Sequence, residues 1–390
     1  MRCSWFAPVV VVLALLQGCS AAPVLPPSLP GELVDAALVP GIPAARYWGD
    51  RVPPGAEAWM KLPEEVLRER YGGIMGQSHE YLLISGGGAQ GAFGAGILAG
   101  WTASGSRPEF EIVTGISTGA LIAPFAFLGP AYDHVLEETY TRFSTEDLVE
   151  RRSLLKILRG DAAADTRRLR GLIAKYLDDA VIAAIGAEDR KGRSLLIGTT
   201  HLDAGRPVIW DITAIAASGR PGAAELIRDI VLASTAIPGA FPPVAIEIEA
   251  EGQRYRELHV DGGVTAQVFL GSTSMDWRRI HERLKVEGRP AIYVIRNGRL
   301  AQRFKATEPR LGPILDRTIS TLIHNQALGD LAKIYLAAQR DGMEFNLVAV
   351  PEDFDEEPRE LFDVDYMRKL FALGRSMAEQ GSPWLREEPD

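Results

Sequence analysis

Tyr81-Leu82-Leu83-Ile84-Ser85 runs directly into Gly86-Gly87-Gly88-Ala89-Gln90-Gly91 and then into the small-residue stretch Ala92–Ala103. The fold class rests on these 23 positions. A short, continuous apolar run bounded by breakers is a strand buried on both faces. The glycines after it form a loop, and the small residues read as a helix. The pattern then repeats: Phe110–Thr114 is a strand, Gly115-Ile116-Ser117-Thr118-Gly119 a tight loop, and Ala120–Leu128 the start of a helix. Strand, loop and helix twice over make a βαβ unit, hence an α/β fold with a mainly parallel central sheet. A right-handed crossover sets both loops at the carboxyl edge of that sheet. Further strands are expected at 195–199, 208–212, 255–260, 291–295 and 346–350. Helical blocks are expected at about 166–185 and 316–340.

The rest of the composition limits the possibilities. The chain has 390 residues, 46% of them hydrophobic and 24% charged, which excludes a wholly disordered or fibrous protein. A net charge of −9 argues against general nucleic-acid binding. The two cysteines, Cys3 and Cys19, both lie near the start, so a disulfide framework, a Cys-rich zinc site and a catalytic thiol in the body are excluded. No H-E-x-x-H and no Ca²⁺-loop pattern is present, so neither metal nor cofactor is expected.

Met1-Arg2 and the uncharged apolar stretch Trp5–Leu16 read as a signal-peptide core, too short to span a bilayer comfortably. Leu16-Gln17-Gly18-Cys19 resembles the lipobox of bacterial lipoproteins, which implies a signal peptide over 1–18, lipidation of Cys19 and a membrane anchor without a span. In that class Ser20 after the cysteine points to the outer membrane of the bacterial envelope. The alternative is a secretory signal cut near Ser20-Ala21-Ala22. Residues 20–63 then hold nine of the 25 prolines. The leader over 19–78 is either a spacer or a segment wrapped on the domain surface, as Tyr47, Trp48 and Trp59 would suit.

Three short motifs carry the chemistry. Gly86–Gly91 satisfies G-x-G-x-x-G, but a dinucleotide site wants an acid at the end of the next strand, and that strand ends Thr114-Gly115. The other readings are a plain tight turn and an oxyanion hole, in which glycines leave backbone N–H groups bare at a helix N-terminus. Gly115–Gly119 is a G-x-S-x-G elbow in the required strand–helix context, which exposes the Ser117 hydroxyl above the sheet. Asp261-Gly262-Gly263 follows the strand at 255–260, so its carboxylate can reach a serine at the same edge; burial would raise its pKa toward that of a useful base. The alternative is a D-G turn on the surface.

In this order the three motifs resemble the patatin-like phospholipases. Ala233–Val244 adds a fourth likeness, the stiff segment between nucleophile and aspartate. The resemblance covers roughly residues 80–350. It implies a three-layer α/β/α domain over 79–350, followed by an acidic, helical extension over 351–390. It also implies a Ser117–Asp261 dyad cleaving phospholipids or related lipid esters. Gly86, Gly87, Gly88 and Gly91 would serve the oxyanion loop, Gly115 and Gly119 the elbow, and Gly262 and Gly263 the aspartate turn. Gln90 departs from the family, where Lys or Arg is common.

A Ser-Asp-His triad is the competing enzyme reading. His281, in the charged stretch 276–285, reads as solvent-facing, His324 as a helix histidine, and His259 as a packing or hydrogen-bonding residue. A non-catalytic lipid-binding envelope protein is the third reading. The basic stretch Arg151–Arg170 is either a face for anionic head groups or a solvated helix or lid.

Overall fold

The computed structural model describes residues 26–151, 162, 164–381 and 383–389. Cys19, the signal segment and residues 152–161 of the basic stretch lie outside the described residues.

A nine-stranded sheet forms the centre. In chain order its strands, with one separate hairpin, are β1 (Arg46–Trp48), β2 (Glu80–Ile84), β3 (Ile112–Gly115), the hairpin β4 (Glu150–Arg151) and β5 (Ala164–Asp165), β6 (Ser194–His201), β7 (Arg206–Asp211), β8 (Val244–Ala250), β9 (Gln253–Asp261), β10 (Ala291–Arg296) and β11 (Glu344–Ala349). β6, β3, β2, β10 and β11 are parallel neighbours in that order. β7 and β9 join β6 antiparallel, β1 edges β7, and β8 edges β9. The main helices are α1 (Gly91–Ala103), α2 (Thr118–Leu128), α3 (Asp133–Arg142), α4 (Arg167–Tyr176), α5 (Asp179–Glu188), α6 (Ala223–Ser234), α7 (Trp277–Leu284), α8 (Leu311–Asp341) and α9 (Val364–Glu379).

The apolar run of β2 supplies both faces of the sheet. Leu82 and Ile84 enter the large core with α1, α2, α6 and α9, whereas Tyr81 and Leu83 enter a second core with α7 and α8. That is the period-two alternation of a strand covered on both sides, and it gives the three layers.

The block expected at 166–185 is two helices. Asp178 breaks it, because its side chain accepts the Val181 N–H and starts α5. α8 runs longer than expected at both ends. His281 is buried, not solvent-facing: α7 lays Trp277, His281 and Leu284 on one face against the second core. The charged residues around it occupy the other face.

Two segments set apart in the sequence are integral to the structure. Residues 26–48 run as a strap along the antiparallel edge. Leu38 and Glu249 exchange both backbone bonds, Arg256 N–H donates to the Pro27 carbonyl, and Arg46 makes a buried ion pair with Glu257. The wrapped reading therefore holds for this part of the leader. Past residue 350, Tyr366, Met367, Leu370 and Phe371 of α9 belong to the large core. α9 lies so close to α1 that a Cβ at Gly374 would sit 2.4 Å from the Phe93 carbonyl oxygen, and one at Gly100 2.2 Å from that of Arg375.

Gly374→Val should therefore force the helices apart and cost about 1–3 kcal/mol, the usual penalty of overpacking. Denaturant unfolding checks this; a variant as stable as the parent would mean that the α1–α9 contact is loose.

Candidate active site

β3 ends at Gly115, and the chain turns at Ser117 into α2. Ser117 has φ 55° and ψ −123°, a strained conformation for a residue with a side chain. The turn is tight: a Cβ at Gly115 would lie 2.4 Å from the Gly119 carbonyl oxygen, and one at Gly119 2.2 Å from that of Ile84. The strain is held by a bond from outside the elbow. Ser117 N–H donates to Ser234 Oγ at 3.0 Å, and that hydroxyl donates to the Gly198 carbonyl at 2.7 Å.

β9 brings the carboxylate. It pairs with Thr199–His201 of β6, while β3 pairs with Ser194–Ile197 of the same strand. β9 thus fills the space beyond the end of β3, and Asp261 arrives in front of the elbow. Ser117 Oγ–H donates to Asp261 Oδ2 at 2.7 Å, and Gly263 N–H donates to Oδ1 at 2.7 Å. Both side chains are buried. Burial pushes the Asp261 carboxyl up to about 6, against the two donated hydrogen bonds, which hold it down.

The glycine loop after β2 lies beside the serine. Gly86 N–H donates to the Gln267 carbonyl, and Gly91 N–H is bonded within its own turn. These two glycines shape the loop and offer no free donor. Gly87 and Gly88 N–H have no partner among the described residues. Gly88 has φ 56°, in the left-handed region, and a Cβ at Gly87 would strike the Asn297 carbonyl at 2.1 Å. Asn297 fastens the loop from the end of β10: its N–H and Nδ2 donate to Ser85 Oγ and the Ser85 carbonyl, and its Oδ1 accepts the Gly94 N–H. Arg296, buried behind the loop, donates to the Gly86 carbonyl at 3.3 Å, and desolvation lowers its pKa to about 10. Gln90 reaches Tyr366 Oη at 3.3 Å.

Sequence reasoning missed several supports. Ser234 and Ala236 sit in the 233–244 segment; the Ala236 carbonyl accepts the Asp261 N–H, so this segment clamps both members of the pair. Gln267 Nε2 donates to the Gly263 carbonyl, so Gln267 joins the glycine loop to the aspartate turn. Asn297-Gly298 follows the strand expected at 291–295, and nothing local in the sequence indicates the tie of Asn297 to Ser85.

No histidine hydrogen-bonds Ser117 or Asp261 among the described residues. His259 contacts Thr199 and Glu257, His281 contacts Tyr81 Oη, and His324 is half-buried on α8. No cluster of three or more metal-ligating side chains occurs among the described residues. A cleft opens at Ser117. Leu121, Phe125, Phe143, Leu172, Ile237 and Phe241 line it, so its wall is almost wholly apolar. The basic stretch 151–170 is in part neutralised where it is described: Arg167 pairs with Asp165 and Glu150, and Arg170 with Asp229.

A serine on a strand–helix elbow, bonded to a buried carboxylate and flanked by free backbone donors, is equipped for acyl transfer. The family model described as patatin-like phospholipase matches residues 82–272, just under half of the chain. No curated protein matches the sequence. Among solved structures, the chain is similar to VipD from Legionella pneumophila (12% identity, TM-score 0.38, 78% of this chain and 66% of that one). It is also similar to human GIVD cytosolic phospholipase A2 (12% identity, TM-score 0.32, 81% and 56%). The chain thus spans slightly under two thirds of the first and just over half of the second.

Because Asp261 binds its proton more tightly folded than unfolded, the wild type should lose stability relative to Asp261→Asn as pH rises from about 4 to about 6, and remain lower above that. Paired unfolding curves across this range test the sign. A gap that does not change with pH would mean that the carboxyl is not raised.

Proposed function

We propose that the chain is a lipid acyl hydrolase in which Ser117 is the nucleophile and Asp261 its base. The observation that carries this reading is the 2.7 Å bond from Ser117 Oγ to the buried Asp261 carboxylate at the floor of an apolar cleft. Asp261 takes the Oγ proton as Oγ attacks the acyl carbonyl carbon. The oxyanion that forms accepts hydrogen bonds from Gly87 and Gly88 N–H, at the positive end of the following helix. The leaving alcohol departs with the proton from Asp261. Water, deprotonated by Asp261, then attacks the acyl-enzyme; the bond to Oγ breaks, Asp261 returns the proton to Ser117 Oγ, and the fatty acid is freed.

The substrate class follows from the walls. A cleft lined by Leu, Ile and Phe favours a long hydrocarbon chain and offers little to a polar one. Phospholipids and related lipid esters fit. We read Cys19 as the point of lipidation, which would hold the enzyme on the membrane that contains its substrate, at the bacterial outer membrane. No described helix is long and apolar enough to cross a membrane.

Ser117→Ala and Asp261→Asn should each lower turnover of p-nitrophenyl butyrate and of phospholipid micelles by about a thousandfold or more. Wild-type kcat/KM should rise with pH through about 6, as the base ionises. Either variant remaining active when folded would overturn the dyad. In a separate test of the cleft, Leu172→Trp should leave butyrate turnover near wild type and cut turnover of the palmitate ester by at least about tenfold. Equal losses on both esters would place the acyl chain elsewhere.

A further inference from the structure

Arg296 ends β10 and is 6% exposed. It forms no ion pair among the described residues. Its guanidinium donates to Ser85 Oγ at 3.4 Å and to the Gly86 carbonyl at 3.3 Å, both neutral acceptors at long range. Asp330 of α8 is the acid that acts on it, from beyond ion-pair distance. Burying a cation without a carboxylate partner costs free energy, and a neutral side chain of similar length would avoid that cost. The fold makes room for the charge all the same: a Cβ at Gly298 would lie 3.0 Å from Arg296 Cζ. Stability alone does not account for an arginine here.

The group it touches leads to the reaction. The Gly86 carbonyl and the Gly87 N–H belong to one planar trans peptide unit, so they point in opposite directions. The carbonyl end is held by Ser85 Oγ–H at 2.7 Å and by Arg296, and Ser85 Oγ is itself fixed by the Asn297 N–H at 2.8 Å. The N–H end faces away from these donors and has no partner among the described residues. The unit stands against the nucleophile, where a Cβ at Gly86 would lie 3.4 Å from Ser117 Cβ. Drawing electron density toward a carbonyl oxygen leaves the hydrogen of the same amide more positive, and a charged donor does this more strongly than a neutral one. Gly88 N–H belongs to the next peptide unit, whose carbonyl accepts only the neutral Gln90 N–H among the described residues.

We propose that Arg296 is a positioning residue for the oxyanion: its charge, acting through the Gly86–Gly87 peptide, strengthens the Gly87 N–H as negative charge develops on the substrate carbonyl oxygen. This rests on the reading of Ser117 as nucleophile. Arg296 lies behind the loop and does not line the cleft, so it bears on the transition state and not on binding of the neutral ester.

Arg296→Met should lower kcat for p-nitrophenyl butyrate by about tenfold and leave KM within about twofold. Arg296→Lys keeps the charge and should recover most of that kcat at neutral pH. A buried lysine gives up its proton more readily than an arginine. The Lys variant should therefore lose kcat on the alkaline side at a pH where the wild type, with its guanidinium at about 10, does not. The titratable groups facing this position are Asp330 and His324 of α8, the latter set against Glu352 and Arg317, and both proteins share them. Wild-type kcat in a folded Met variant would overturn the proposal. So would a Lys variant as impaired as the Met variant with the wild-type pH profile, since that marks lost packing and not lost charge. If the Met variant does not fold, the Lys profile decides.

A second arm needs no turnover. In Ser117→Ala protein carrying isotope-labelled glycine, NMR reads hydrogen exchange at single amides. Hydroxide removes the Gly87 amide proton to leave an imidate anion with its charge on the Gly86 oxygen, next to Arg296, and water returns a proton. Arg296→Met should slow Gly87 exchange relative to Gly88 by at least about threefold. An unchanged ratio would overturn the proposal. A wild type that cleaves neither butyrate nor phospholipid would sink the hydrolase reading, and the exchange ratio would still decide whether Arg296 polarises this peptide.

Discussion

The site depends on one strand occupying the space that another leaves. β3 stops at Gly115, and β6 continues past it to His201. The free length of β6 accepts β9 antiparallel, and this register sets Asp261 opposite Thr199, directly ahead of the elbow. A shift of one residue would turn Asp261 to the other face of the sheet and break the pair, because strand side chains alternate. β9 is held in that register from three directions. The Ala236 carbonyl takes the Asp261 N–H, β8 pairs along its length, and the buried Arg46–Glu257 ion pair ties it to the strap.

Such a site carries two local costs that the rest of the fold offsets. A strained non-glycine residue costs on the order of 1–3 kcal/mol, and Ser117 is one. A buried carboxylate is disfavoured in its charged form, as the raised pKa of Asp261 shows. Ser234 offsets the first by accepting the Ser117 N–H, and Gly263 and Ser117 offset part of the second by donating to both carboxylate oxygens. If Asp261 is the base, the remaining elevation is useful, since a carboxylate with pKa about 6 is a better base than one near 4 and is still ionised at neutral pH.

The elements nearest the chemistry were the most legible in the sequence. A continuous apolar run cut by glycines is the pattern of a buried strand entering a tight loop, and β2, the glycine loop and the elbow all announce themselves this way. β8, which alternates buried and exposed residues over Val244–Ala250, was not among the expected strands. His281 was misread because charge density in a stretch says nothing about which helix face each residue takes. Ser234, Gln267 and Asn297 are ordinary polar residues in sequence; their roles come from bonds to residues about 117, 181 and 212 positions away, distances over which no local pattern carries information. Within the glycine loop after β2, the glycines were legible as a set. Which N–H groups stay free was decided by tertiary partners.

The C-terminal segment shows how far the site extends. α9 was expected as an extension beyond the catalytic domain, yet Met367 lines the cleft with Phe362 just before it, and Tyr366 reaches Gln90 of the glycine loop. The close approach of α9 to α1, possible only because Gly96, Gly100 and Gly374 lack side chains, fixes the helix that begins at Gly91. The loop carrying the free Gly87 and Gly88 donors is therefore held at one end by Asn297 and at the other by a helix clamped under α9. Donors aimed at a developing charge are effective only when they need not reorganise. The residues that make this loop rigid are thus spread from Gly91 to Gly374, and the segment past 350 belongs to the candidate site as much as the motifs do.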